Sequence, residues 1–539
     1  MKSIPVFSAI LVARLLSAKF LHITDCDETY NYWEPLHYLL FGKGMQTWEY
    51  SPEYGLRSYL YLILHAVPAW IMQKVANWDA VTLFYCIRCV LAVVCAMLET
   101  IMYRSIHQQF GSLISKLWLI FQVFSPGMYI SSTAFLPSSF SMLLTIAFIS
   151  TWWQKQYKLA ILSIVVSTFI GWPFAALVSL PFVYTVLVQK RLFKMFFCWS
   201  FLFAASVAVP LALADSYIYG KLTFAPLNIV LYNIFSQHGP NLFGVESKYF
   251  YFINLFLNFN VVWCLALICP VFIFMKFVLQ KLNKSKVSST DALRKLSPLY
   301  IWLLVFFMQP HKEERFIFPV YPLVSLCGAV ALSTFLQIND LVLQRCGKPA
   351  SRIARRLIMY GVTAGFILLS LSRLYALYAN YHAPMEISSS VDVAPVARNV
   401  CLGKEWHRYP GSFFIPSNYR LRFVPSHFGG LLPAYFDESE FGTTIVHNYF
   451  NNMNQPNRHM LFDLSRCDYL IDFDNGGKYV EGDSEPNYSK DSGTWTIVKS
   501  VPFLDASASH SLYRAFYVPY VGERYVKFGS YNLLERKKT

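Results

Sequence analysis

The chain has 539 residues, of which 55% are hydrophobic, 17% aromatic and only 14% charged, with mean hydropathy +0.38. Soluble domains carry roughly 25% charged residues, so most of this chain belongs in lipid; a cytosolic enzyme, a disordered regulator and a secreted disulfide scaffold are excluded. The net charge of +15 sits on one side of residue 380: residues 381–539 hold 16 Lys/Arg and 17 Asp/Glu, leaving 30 and 14 for residues 1–380. That excess reads as the cytoplasmic-loop bias of a polytopic protein, not as a nucleic-acid surface.

Residues 4–21 are apolar, with Arg14 and Lys19 inside and no small-residue cleavage site after them. They read as an uncleaved signal-anchor with a cytosolic start. Further apolar runs follow near 59–73, 80–102, 113–130, 133–151, 157–171, 172–189, 195–214, 253–275, 298–309, 317–338 and 357–378. Basic clusters at 190–194, 276–297 and 340–356 place those loops in the cytosol. Parity then places 215–252, 310–316 and everything past 378 on the other face. One run must fail to cross; the choice is 59–73, which is short and holds His65 and Pro68. The expected architecture is a polytopic α-helical membrane domain over 1–380 with about eleven transmembrane helices. It includes a large lumenal loop at 22–78 with membrane-surface helices, and a lumenal mixed α+β domain follows over 381–539.

Eleven cysteines are scattered. Most lie in apolar runs, where a thiol acts as a small hydrophobe. Cys86 and Cys89 have metal spacing but no partner pair. Cys401 and Cys467 lie in the polar tail, where a disulfide is possible. Asn487-Tyr488-Ser489 is a glycosylation sequon on the non-cytosolic side.

Three constellations suit chemistry. Asp25-Cys26-Asp27-Glu28 follows the first apolar run. A general base and groups that orient it would have this character, and so would a solvated acidic turn capping a helix. The Asp25-x-Asp27 and Asp472-x-Asp474 pairs also match a metal-holding spacing, without a phosphate-binding glycine loop nearby. His311-Lys312-Glu313-Glu314-Arg315-Phe316 puts five ionisable groups at a membrane edge. Lys and Arg there suit a lipid-linked phosphate, with Glu fixing the cations, and interfacial snorkelling is the plainer reading. The third comprises Lys221, Asn228, Asn233 and His238 in loop 215–252, with Trp48, Glu49 and Arg57 in the first loop. These suit sugar stacking and hydroxyl recognition, and equally an aromatic belt.

Asp25–Pro35 (DCDETYNYWEP), Gln46–Pro52 (QTWEYSP), Arg57-Ser58 and His311–Phe316 (HKEERF) resemble the lumenal mannosyltransferases that use dolichyl-phosphate mannose, a family with the GT-C fold. Gly171-Trp172-Pro173, residues 225–233, 310–322 and 514–519 narrow the resemblance to the α-1,2-mannosyltransferases of the dolichol-linked oligosaccharide pathway. It runs nearly end to end. It implies residence in the endoplasmic-reticulum membrane and a dolichyl-phosphate-mannose donor. It also implies a dolichyl-pyrophosphate-linked acceptor bearing six or eight mannoses. Inversion in a single displacement is expected, with Asp27 as base and Glu28 or Asp25 as fallback. His311, Lys312 and Arg315 are expected on the phosphate, Glu313 orienting them, and no metal or other cofactor. The rival reading is a transporter or scramblase of polyprenyl-phosphate lipids, which would place charged or broken sites near the bilayer midplane.

Overall fold

The computed structural model describes residues 4–236, 239–282, 289–343, 348–393, 395–480 and 485–537. Among the described residues five helices are long and apolar enough to cross a bilayer. They are Ala80–Phe110, Phe193–Tyr219, Phe250–Leu279, Glu314–Asp340 and Ser351–Ser388. Ser112–Phe124 and Pro126–Ser132 make a sixth if the pair, bent by 67°, is one span. The sequence predicts about eleven spans from twelve apolar runs, and part of the difference is local. A proline can end a helical run, since it removes an amide donor and disfavours helical backbone at the residue before it. Ser125 is extended ahead of Pro126 and caps the next helix, and Trp172 is extended ahead of Pro173. The runs at 157–171 and 172–189 are the apolar helices Tyr157–Gly171 and Pro173–Gln189, separated at Pro173 and each shorter than a span. Ile4–Phe20 and Pro137–Trp153 are helices of 17 residues each. Tyr59–Ala76, with Pro68 inside, is not among the spanning candidates.

The chain packs as two compact units that do not divide at residue 380. One comprises Met1–Ala18, Cys89–Pro210 and Gly244–Leu374; the other comprises Lys19–Arg88, Leu211–Phe243 and Tyr375–Thr539.

In the first unit, helices Phe250–Leu282 and Tyr321–Leu343 lie in close contact. A Cβ on Gly328 would stand 2.5 Å from Val262 Cγ1 and 2.9 Å from the Val262 carbonyl oxygen, so only glycine allows this approach. Asn260 breaks the first of these helices with φ 38°. Its side chain compensates by donating to Ser370 Oγ (3.1 Å) and accepting from the Val261 amide (2.7 Å). Arg14 and Glu99 are both fully buried and bind through two hydrogen bonds of 2.8 and 2.6 Å. Arg14 also donates to the Gln122 carbonyl (2.9 Å), tying three helices together. Charges in an apolar interior persist only when paired in this way.

The second unit joins the loops read as lumenal to the tail. Its five-stranded sheet has the order β3-β2-β5-β7-β6. The strands are β2 (Asn399–Leu402), β3 (Arg420–Phe423), β5 (Tyr469–Asp474), β6 (Trp495–Leu504) and β7 (Phe528–Arg536). β2 runs parallel to β3 and β5, while β7 runs antiparallel to β5 and β6. A second, two-stranded sheet pairs β1 (Met45–Gln46) in the first loop with β4 (Ala434–Tyr435) in the tail. Beside it the buried Glu34 carboxylate accepts from the Met45 amide (2.8 Å) and from the Ser412 amide (2.5 Å) and hydroxyl (3.0 Å). Burial raises this carboxyl above its ordinary range, and the two amides work against that rise. Cys401 on β2 and Cys467, just before β5, form a disulfide.

Candidate active site

The acidic segment lies in the second unit. Asp25 is extended and serves as N-cap of the helical turn Cys26–Glu28, its side chain accepting from the Asp27 amide at 2.9 Å. That is the plain structural role of an aspartate before a helix. Glu28 is buried, and its carboxylate accepts from the Trp33 indole N–H (2.9 Å). Asp27 is half-buried in the first turn. The three carboxylates thus have three environments, and Asp27 is neither the cap nor the buried indole acceptor. One ligand-type atom each from Asp25, Cys26 and Asp27 lies within 4.8 Å of the others. The capping turn itself brings these atoms close.

Downstream in the same unit, Arg57 clamps Glu49 with two hydrogen bonds (3.0 and 2.9 Å) and donates to the Tyr32 hydroxyl (2.7 Å). Such a fork is the strong form of carboxylate–guanidinium pairing. Trp48 is buried against Tyr54, Tyr232 and Phe243. Lys221 donates to the Glu53 carbonyl (3.2 Å) and Asn228 to the Gly55 carbonyl (3.1 Å). The structure thus gathers Trp48, Glu49, Arg57, Lys221 and Asn228 around one loop, held by their own contacts. Asn233 donates instead to the Ile229 carbonyl of its own helix (2.8 Å). His238 lies outside the described residues. Loop 215–252 also contains the short apolar helix Ala225–Phe235. Asp215, buried at the end of helix Phe193–Tyr219, accepts from the Ser58 hydroxyl (3.0 Å) and the Tyr59 amide (2.8 Å). It thereby caps helix Tyr59–Ala76 from outside, a role that needs partners 157 residues apart.

The cationic segment lies in the first unit. It runs from the bend after helix Ser289–Met308 into the turn Glu314–Val320. Glu313 bridges two neighbours, pairing with His311 Nε2 at 3.1 Å and forming an ion pair with Arg315. His311 Nδ1 contacts the Gly244 carbonyl at 2.8 Å. Burial opposes the charged imidazole, but the hydrogen bonds to Glu313 and Gly244 outweigh it and raise the His311 pKa. Lys312 is only 6% exposed, and its ammonium stands 3.5 Å from the Glu246 carbonyl, a long hydrogen bond for a buried cation. Glu314, expected with Glu313 to fix the cations by ion pairs, accepts from Asn258 (2.7 Å), whose amide also donates to the Tyr321 hydroxyl (3.0 Å). Phe316 stacks on Trp172 (5.2 Å), and its carbonyl accepts from the Trp302 indole (3.0 Å). The Gly-Trp-Pro motif at 171–173 therefore supports the cationic turn. A Cβ on Gly171 would stand 2.6 Å from Ser141 Oγ.

Two other sequence candidates have structural occupations. Asp472 on β5 is buried, pairs with Lys404 (3.0 Å) and accepts from the Ser489 amide (2.9 Å) and hydroxyl (2.7 Å). Asn487 is 7% exposed, and its amide nitrogen donates to Asp474 (2.7 Å) and the Gly477 carbonyl (2.8 Å). The folded domain does not present that nitrogen for glycosylation.

A family model described as the Alg9-like mannosyltransferase family matches residues 5–416. The chain belongs to this family. It is 49% identical to the Alpha-1,2-mannosyltransferase Alg9 of Drosophila melanogaster, covering 98% of this chain and 87% of that relative. It is 44% identical to the Homo sapiens Alpha-1,2-mannosyltransferase ALG9 (99% and 88% covered). With the Saccharomyces cerevisiae Alpha-1,2-mannosyltransferase ALG9 it shares 33% (92% and 88% covered). Among solved structures, ArnT from Cupriavidus metallidurans bound to undecaprenyl phosphate superposes with a TM-score of 0.50. The match covers 82% of this chain and 87% of that one at 12% identity. The fold is the expected GT-C fold with a C-terminal sheet domain, and the chain is a membrane glycosyltransferase. The transporter or scramblase reading has no support.

Proposed function

We propose that this protein transfers mannose from dolichyl-phosphate mannose to a dolichyl-pyrophosphate-linked high-mannose oligosaccharide. The linkage made is α-1,2, on acceptors of six and eight mannoses, at the lumenal face of the endoplasmic-reticulum membrane for protein N-glycosylation. The observation that carries this reading is the buried Lys312 ammonium beside the His311–Glu313–Arg315 chain. A buried, weakly bonded cation next to two more, with one carboxylate orienting both neighbours, suits a phosphate monoester.

The donor mannose is β-linked to phosphate and the product is α-linked, so one in-line displacement with inversion is enough. The acceptor 2-hydroxyl attacks C1, its proton passes to the Asp27 carboxylate, and the C1–O bond to phosphate breaks. The electron pair leaves with dolichyl phosphate. Charge grows on that phosphate in the transition state, where Lys312, Arg315 and protonated His311 act. Asp25 holds the turn that carries Asp27, and Glu28 anchors it to Trp33. Trp48, Glu49, Arg57, Lys221 and Asn228 shape a loop for sugar hydroxyls. Lys312, Arg315 and protonated His311 can neutralise the leaving group without a metal ion.

The test is to incubate purified protein with dolichyl-phosphate mannose and defined lipid-linked acceptors, then analyse product linkage. New α-1,2 mannose on the six- and eight-mannose acceptors alone supports the proposal; another linkage, or no transfer, refutes it. Activity that vanishes with a chelator and returns with a divalent ion would overturn the metal-free mechanism.

A further inference from the structure

Residues 510–528 form a feature of the tail that the transfer mechanism does not use. Two short helices, Ser511–Ala515 and Gly522–Tyr525, flank a turn. Tyr513 and Tyr525 stack at 4.8 Å and hold the helices together. The Gly522 amide donates to the Val518 carbonyl (2.8 Å), closing the turn. At its tip Tyr520 has φ 63° and is 90% exposed. A tyrosine in the left-handed region is strained, and here it gains no burial within the protein. Leu512, Tyr517, Val518 and Val521 expose further apolar surface around it.

The attachment of this segment indicates what covers it. Tyr517 packs on Tyr375 with centroids 4.4 Å apart, and the Arg514 carbonyl accepts from Asn380 (3.0 Å). Both partners lie in the last turns of helix Lys348–Tyr381, part of a long apolar span. Tyr375 and Tyr378 are themselves exposed there. Aromatic residues at the end of a span mark the level where lipid head groups begin. Arg514, Arg524 and Lys527 outnumber Glu523, which suits anionic head groups.

We propose that residues 510–528 are a membrane-interface anchor of the tail, with Tyr520 inserted among lipid head groups. The partner is the bilayer surface itself, and the segment fixes the height of the sheet domain above it.

The experiment uses the unmodified protein in phosphatidylcholine nanodiscs, with and without phosphatidylinositol, doped with a phospholipid carrying a diazirine near its head group. After irradiation, adducts are mapped by mass spectrometry. The proposal expects adducts within 516–521 at roughly threefold or greater yield over tail peptides around Tyr479, rising with the anionic lipid. Adducts on the spanning helices but none within 516–521 would overturn it. Equal yield with and without phosphatidylinositol would overturn the role of the basic residues.

Discussion

At the scale of single residues, environment separates side chains that look alike in sequence. Asp25 caps a helical turn, Glu28 is buried against Trp33, and Asp27 is half-buried in the first turn of the same helix. His311 shows the same logic on the cationic side. Burial alone would lower its pKa, yet Glu313 and the Gly244 carbonyl raise it above 6.5. A raised value means that the protonated form is favoured in the folded protein. Its contribution is complete below about pH 6.5 and is lost as pH climbs through the folded value. Donor KM, measured from about pH 5.5 to about 8.5, should therefore rise with pH. His311→Gln should give a flat, uniformly weaker profile. A wild-type KM independent of pH would remove His311 from phosphate binding.

At the scale of elements, the Arg14–Glu99 pair is the sharpest test of how the membrane helices hold together. Removing one partner strands a buried charge, which costs about 3–5 kcal/mol. Arg14→Met should accordingly lower the thermal midpoint in detergent steeply. Arg14→Met with Glu99→Leu should regain most of that loss, because no charge remains to desolvate. A double variant no better than the single one would mean that the pair is not the source of the stability. Hydropathy exposed the helices but not this link: Arg14 is visible as a charge in an apolar run, while its partner lies 85 residues away. Hydropathy likewise marked the run at 113–130 but not its interruption, which follows from backbone at Ser125-Pro126; it did separate 157–171 from 172–189, where Trp172 is extended ahead of Pro173. The cationic cluster was legible because its members are consecutive. The supporting contacts of Glu314 with Asn258 and of Phe316 with Trp172 were not, since they cross 56 residues and more.

At the scale of the whole molecule, the tail is folded together with the loops read as lumenal. Sequence showed a polar domain after residue 380, but not that Glu34 and β1 would be built into it, because those bonds join residues nearly 400 apart and no local pattern records them. The disulfide between Cys401 and Cys467 spans 66 residues. Closing a loop of that length stabilises by about 4 kcal/mol in the chain-entropy model. Cys401→Ala with Cys467→Ala should thus lower the denaturant midpoint of the tail, read by limited proteolysis, while the membrane helices keep their protection. Unchanged proteolysis would show that the sheet holds without the bond. The central claim is that Asp27 moves the proton while the cationic segment binds the donor phosphate. Single-turnover mannose transfer and equilibrium binding of dolichyl-phosphate mannose, measured side by side for Asp27→Asn, test it most directly. The account predicts transfer slowed by roughly 10²–10⁴-fold with donor affinity nearly unchanged. Transfer close to the wild-type rate, or donor affinity lost in step with rate, would contradict it.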